Sequence, residues 1–301
     1  MWKKFRHYIK HKILSVKANG QYSFLTKKIY KKMDIDLAIR VISTDYFKEI
    51  LEPLPVQTSN LQNIIVFAPH QDDEAIGCGG LLSYLSEQNC RIDVVFLTDG
   101  RPNWQFPSPM IEKRKNEARK LGQILKANIY FLDIDNVNLD VKTSHINFLV
   151  DLIKNHNYDS VFLPWLLDAP PKHRLCNFVL KKAFDLSKID NKLQFYNYQV
   201  HTSLIPNVYF DYTKYYEKKQ ALINIYKSQL DFQNYSHLSK GLDSWNSRFI
   251  GWSKDPKYIE IFHQIPFKEW ESLIKWYNYD IDETFRGNEA CKRSYKTLLK
   301  M

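Results

Sequence analysis

The chain has 301 residues, 44% apolar and 25% charged, with 9 Gly and 12 Pro, which fits one large or two small folded domains and excludes a low-complexity or collagen-like chain. No apolar run approaches the roughly 18–20 residues of a membrane span, and the start lacks the apolar stretch and cleavage site of a secretory signal. Cys78, Cys90, Cys176 and Cys291 form neither a CxxC pair nor a disulfide framework, so a reduced, cytoplasmic setting is the expectation.

The net charge of +10 sits in residues 1–33, which hold ten Lys/Arg and no acid; the other 33 basic residues balance 33 acids. A uniformly basic, nucleic-acid-binding body is therefore not expected. In that arm Trp2, Phe5, Ile9, Ile13 and Val16 recur at spacings of three and four and gather on one helical face. With lysines flanking it, such a face suits peripheral contact with an anionic membrane, or packs on the body and leaves its lysines in water.

From residue 63 onward β-rich runs alternate with helical patterns. The strands expected are 63–68, 91–97, 128–133, 159–165 and 194–200, and the helices 77–88, about 110–126, about 144–156, about 173–187 and 213–230. The strands are apolar nearly throughout, as in a parallel sheet covered on both faces. The alternation predicts an α/β, Rossmann-like, doubly wound and mostly parallel sheet. Ligands of such sheets bind beyond the strands' carboxyl ends, which places the chemistry after residues 68, 97, 133 and 165. The division expected is a basic extension over 1–60, a catalytic core over 61–230 and an irregular C-terminal extension over 231–301 that packs on the core and holds four of the seven tryptophans.

The first of those loops reads "PHQDDEAIGCGG", residues 69–80. Glycines that open a helix after a strand suggest a phosphate loop, but Gly77-Cys78-Gly79-Gly80 lacks the dinucleotide spacing. Three carboxylates ahead of it would also repel a pyrophosphate. A solvated acidic turn is the plain alternative. A metal site fits better. His70 and Asp73, three apart in a turn, reach one cation, and imidazole with carboxylate suits Zn²⁺ or Fe²⁺. Asp72 then points elsewhere and is free to accept a proton from water. Glu74 orients the loop, and the glycines let the helix approach the strand.

The stretch resembles the Pro-His-x-Asp-Asp-Glu signature of the LmbE-like N-acetylglucosaminyl deacetylases, which include the PIG-L enzymes. "VVFLTDG" (94–100), "RKNEARKLG" (114–122), "DAPPKHRL" (168–175), "YNYQVHTSLIPN" (196–207) and "KKQALINIYKSQL" (218–230) follow in that family's order. The resemblance implies a zinc-dependent hydrolase that removes acetyl groups from N-acetylated amino sugars, giving acetate and a free amine. It implies His70, Asp73 and His173 as metal ligands and Asp72 as general base. Arg114 and Asp168 are implied at the substrate. One departure matters, because Pro170 stands where the family carries a histidine and Lys172 where it carries an aspartate. Lys172 or His201 is then the candidate for the missing cation at the developing oxyanion. A sugar-binding protein of this fold without turnover, and a nucleotide-binding α/β module, remain as alternatives.

Overall fold

In the computed structural model, residues 40, 53–102, 107–188, 193–251, 253–275, 281–285 and 287–301 are described. The basic stretch 1–33, with its expected membrane contact, lies outside the described residues. The strands are β1 (Leu54–Pro55), β2 (Asn63–Ala68), β3 (Arg91–Thr98), β4 (Asn128–Ile134), β5 (Ser160–Pro164), β6 (Gln194–Tyr198), β7 (Val208–Asp211) and β8 (Ile259–Pro266). The helices are α1 (Asp73–Glu87), α2 (Pro107–Leu125), α3 (Thr143–Asn155), α4 (Pro171–Ser187), α5 (Tyr216–Ile223), α6 (Lys227–Leu230), α7 (Tyr235–Asn246), α8 (Phe267–Lys275), α9 (Ile281–Thr284) and α10 (Glu289–Lys300).

All eight strands form one sheet in the order β1-β7-β8-β6-β5-β2-β3-β4. Every pairing is parallel except those of β8, which runs antiparallel between β6 and β7. One buried apolar layer packs α3, α4, α8 and α10 on one face, and a second packs α1, α2 and α5 on the other. This is the doubly wound, mostly parallel sheet that the apolar runs predict. Among the described residues no helix is long and apolar enough to cross a membrane.

Two details differ from expectation. Residues 231–301 do not stay outside as an irregular extension, because they supply β8 to the interior of the sheet. The 213–230 helix is broken into α5 and α6, and the break places Tyr226 in the core with its hydroxyl donating to Glu74.

The glycines of the opening motif do pack the helix closely. A Cβ on Gly77 would fall 2.2 Å from the Tyr198 ring, and one on Gly80 2.4 Å from the Tyr212 ring. α1 also kinks at Cys78 (φ −146°, ψ 17°), which frees backbone N–H groups in mid-helix. Glu260 of β8 accepts from two of them, Gly80 at 2.7 Å and Leu81 at 2.8 Å. The C-terminal strand thereby fixes the helix whose first turn carries Asp73 and Glu74.

Candidate metal centre and active site

The loop between β2 and α1 must turn sharply to present His70 and three acids at the sheet's carboxyl edge. Asp72 takes φ 139°, a conformation that side chains rarely adopt and that costs on the order of 1–3 kcal/mol. The turn is held from several sides. His70 N–H donates to Asp73 Oδ2 at 2.8 Å, Ile76 N–H to the Asp72 carbonyl at 2.9 Å, and the Gln71 amide to the Thr98 carbonyl at 2.9 Å. Asp73 and Glu74 also lie in the first turn of α1, where the helix dipole favours negative charge.

His173 comes from the first turn of α4, beyond β5. Its Nε2 lies 3.3 Å from His70 Nδ1 and 3.5 Å from Asp73 Oδ2, and His70 Nδ1 lies 3.3 Å from the same Oδ2. An ion held tetrahedrally at about 2.0–2.1 Å sets its ligand atoms about 3.3–3.4 Å apart, so three donors converge at the spacing of one tetrahedral face. The outer ring nitrogens face acceptors. His173 Nδ1 meets Asp168 Oδ2 at 2.8 Å, and His70 Nε2 meets Asn136 Oδ1 at 3.1 Å. With protons on those nitrogens, two lone pairs and a carboxylate oxygen point at one another. A cation among them resolves that repulsion, and the donor set fits one.

Electrostatics follow the same plan. Burial alone would raise Asp73, yet the neighbouring His173 and His70 hold it well below the usual carboxylate range. Burial opposes charge on His173, but Asp73 and Asp168 raise it. His70 is lowered, chiefly by burial. Asp72 is pushed up, first by burial and then by Asp73 and Glu74. Glu74 is pushed up to about 8 by burial.

The cluster opens into a cavity of about 300 Å³ whose walls include His70, Asp72, Arg114, Asn136, His201 and Tyr235. That volume is at the small end for ligand sites and suits one small polar ring. A larger cavity of about 600 Å³ lies beside β4 and α10 between Asp133, Lys142 and Arg293. Of the cluster, His70 and Asp73 line the smaller cavity and no member lines the larger, and we take the smaller as the site.

The expected site residues fall into two groups. His70, Asp73 and His173 meet as a cluster, and Asp72, Arg114 and His201 line the cavity beside it. His201 packs its ring 5.1 Å from that of His173. Asp168 and Lys172 do not meet the cavity wall. Asp168 is fully buried and, besides His173, accepts backbone N–H groups of His201 at 3.1 Å and Thr202 at 2.7 Å. It stands behind His173 and does not line the cavity, its side-chain oxygens being taken up inside the protein. Lys172 Nζ donates to Asn136 Oδ1 at 3.1 Å.

Arg114 on α2 donates to the Gly100 carbonyl and to Gln229 Oε1, the latter at 2.8 Å, while Glu117 one turn on accepts the Ser228 N–H at 3.0 Å. The Arg-x-x-Glu and Ser-Gln segments, read separately in the sequence, thus recognise each other. Sequence reasoning missed Asn136 and Tyr235. Asn136 sits in the loop after β4, one of the four loops singled out, but a lone Asn carries no motif. Tyr235 lies beyond the resemblance altogether.

Residues 65–184 match the family model PIG-L: GlcNAc-PI de-N-acetylase. A diacetylchitobiose deacetylase of Thermococcus kodakarensis is 24% identical over 144 residues, 44% of this chain and 53% of the relative, so the chain spans about half the length of that curated protein. Two solved structures share the fold. The N,N'-diacetylchitobiose deacetylase of Pyrococcus horikoshii superposes with a TM-score of 0.60 at 19% identity, covering 82% of this chain and 92% of that one. A 4-carboxy-2-hydroxymuconate hydratase of Pseudomonas putida gives 0.58 at 19% identity, covering 68% and 96%. At such identity the likeness is one of fold, and a fold shared by a deacetylase and a hydratase leaves the reaction to the site.

Proposed function

We propose that this chain, which carries the PIG-L family pattern over residues 65–184, removes the acetyl group of an N-acetylated amino sugar by hydrolysis, releasing acetate and a free amine. The observation that supports this most is the meeting of His70, Asp73 and His173 at tetrahedral spacing beside a cavity that Asp72 also lines. Those three residues would hold Zn²⁺ or Fe²⁺, which when bound polarises an amide carbonyl and makes water more acidic.

The protein's own groups supply the rest. Asp72, raised by burial and by its acidic neighbours, accepts a proton as water attacks and returns it to the departing amine, which cannot leave as an anion. His201 lines the cavity next to Pro170, where the family histidine is missing, and is placed to donate to the carbonyl oxygen as charge develops. Arg114 lies on the same wall, suited to sugar hydroxyls or a phosphate.

Incubating the purified, metal-supplemented protein with a panel of free, nucleotide-linked, thiol-conjugated and lipid-linked N-acetylglucosamine derivatives and measuring acetate tests the proposal. Metal-dependent acetate from at least one class is the expected result, and acetate from none rejects it. A second reading, a sugar-binding protein without turnover, is favoured by Pro170; sugar binding with no acetate would establish it.

A further inference from the structure

If His70 is to offer Nδ1 to the cluster, its proton must sit on Nε2, and the partner of Nε2 decides that. The partner is Asn136 Oδ1 at 3.1 Å. An amide has a donor end and an acceptor end, so Asn136 is useful to His70 in one orientation only. Two contacts choose it. Lys172 Nζ, which only donates, lies 3.1 Å from Oδ1, and the Arg101 carbonyl, which only accepts, takes Nδ2 at 2.9 Å.

The loop that carries the amide is equally fixed. Asn136 N–H donates to Asp99 Oδ1 at 3.0 Å, and Asp135 Oδ1 accepts the N–H groups of Val137 at 2.7 Å and Asn138 at 2.8 Å. The Arg101 guanidinium pairs with Asp135 and ties this loop to the one after β3. We propose that Asn136, oriented by Lys172 and the Arg101 carbonyl, is a positioning residue that fixes His70 in its Nε2–H tautomer and so presents Nδ1 to Asp73 and His173. Lys172 then acts through Asn136, from outside the cavity wall, and not on the substrate.

The two histidines are thus held differently, one by a carboxylate and one by a neutral amide braced by a lysine. Asp72, Asp73, Glu74 and Asp168 are already buried around this site. A neutral acceptor behind His70 orients the ring without burying another carboxylate there.

The inference rests on the metal-site reading, so its test uses two readouts. The first is the His70 tautomer in metal-free, ¹⁵N-histidine-labelled protein well above the histidine titration range. The second is Zn²⁺ affinity by competition with a chelating dye. Wild type is expected to show His70 as a single Nε2–H tautomer. Asn136→Leu should give mixed tautomers and bind Zn²⁺ about 10–100-fold more weakly. Asn136→Asp, which keeps an acceptor, should retain the tautomer and most of the affinity, and Lys172→Met should fall between. An unchanged tautomer and affinity in both Asn136→Leu and Lys172→Met would overturn the proposal. A wild type that shows the single tautomer but binds no Zn²⁺ would instead overturn the metal reading and leave the tautomer assignment standing.

Discussion

Two buried charge clusters meet helix α1, one on each side of its kink at Cys78, and they are built to opposite ends. Beyond the kink, Lys219 Nζ lies 2.7 Å from Asp243 Oδ2 and 2.8 Å from Glu260 Oε1. Tyr212 and Ser239 hydroxyls also donate to Asp243, and Glu260 accepts the two freed helix N–H groups. Asp243 Oδ2 and both Glu260 oxygens there have protein donors, and the cluster lines neither of the two cavities described above. Ahead of the kink, Asp73 faces one nitrogen of each of two imidazoles whose other nitrogens meet Asp168 and Asn136. The difference teaches that buried acids as such do not mark a site. A site is marked where acceptors converge and the protein itself supplies no cation.

The largest effect expected from perturbing this contrast is on the open side. Asp72→Asn removes the proton acceptor and none of the three proposed ligands, so acetate release should fall by about 10²–10⁴ while metal content and thermal stability stay near wild type. Steady-state kinetics beside metal analysis would show it, and an active Asp72→Asn protein would exclude the assigned role.

On the sealed side the loss should be of stability. Lys219→Met leaves Asp243 and Glu260 buried without their cation, at about 3–5 kcal/mol, read by denaturant unfolding. A loss under about 1 kcal/mol would mean that water reaches the cluster, since pairs open to water contribute no more than that.

A smaller, pH-dependent effect belongs to β8 itself. Burial pushes His263 down to about 3 from an ordinary 6.5. The unfolded chain therefore takes up a proton that the folded one refuses between those values. The stability this residue contributes is complete above its unfolded pKa and is lost as pH falls toward its folded one, with a slope of up to about 1.4 kcal/mol per pH unit. His263→Phe should flatten that slope in unfolding curves taken from neutral to mildly acidic pH. An unchanged slope would show that His263 charges without unfolding.

How far the sequence discloses all this depends on how local each signal is. β2, β3, β5 and β6 are legible because they are buried nearly throughout, which writes an almost continuous apolar run, and β2 matches its expected span of 63–68. β4, though half-exposed at the sheet's edge, keeps Ile129, Tyr130, Phe131 and Leu132. β8 is not legible as a core strand, because Glu260 and His263 interrupt its apolar run although both are buried. Their environment, the kinked helix and the Trp165 ring, is assembled only in the fold. His70, Asp72 and Asp73 are legible because they lie within one turn. His173 needed the family pattern, since 103 residues separate it from His70. Asp168 is expected at the substrate yet stands buried behind His173, because sequence order does not tell an acid in the cavity wall from one behind it. Asn136 shows the same gap from the other side, because its meaning comes from His70 and Arg101, in two other loops, and from Lys172 in the first turn of α4.

Dialysis against Zn²⁺ followed by elemental analysis of wild type, His173→Ala and Lys219→Met tests whether the cluster ahead of the kink is a cation site and the one beyond it is not. Stoichiometric zinc is expected in wild type and in folded Lys219→Met, and loss of zinc in His173→Ala. A zinc-free wild type, or a His173→Ala protein that still binds stoichiometric zinc, would show the assignment of the two clusters to be wrong.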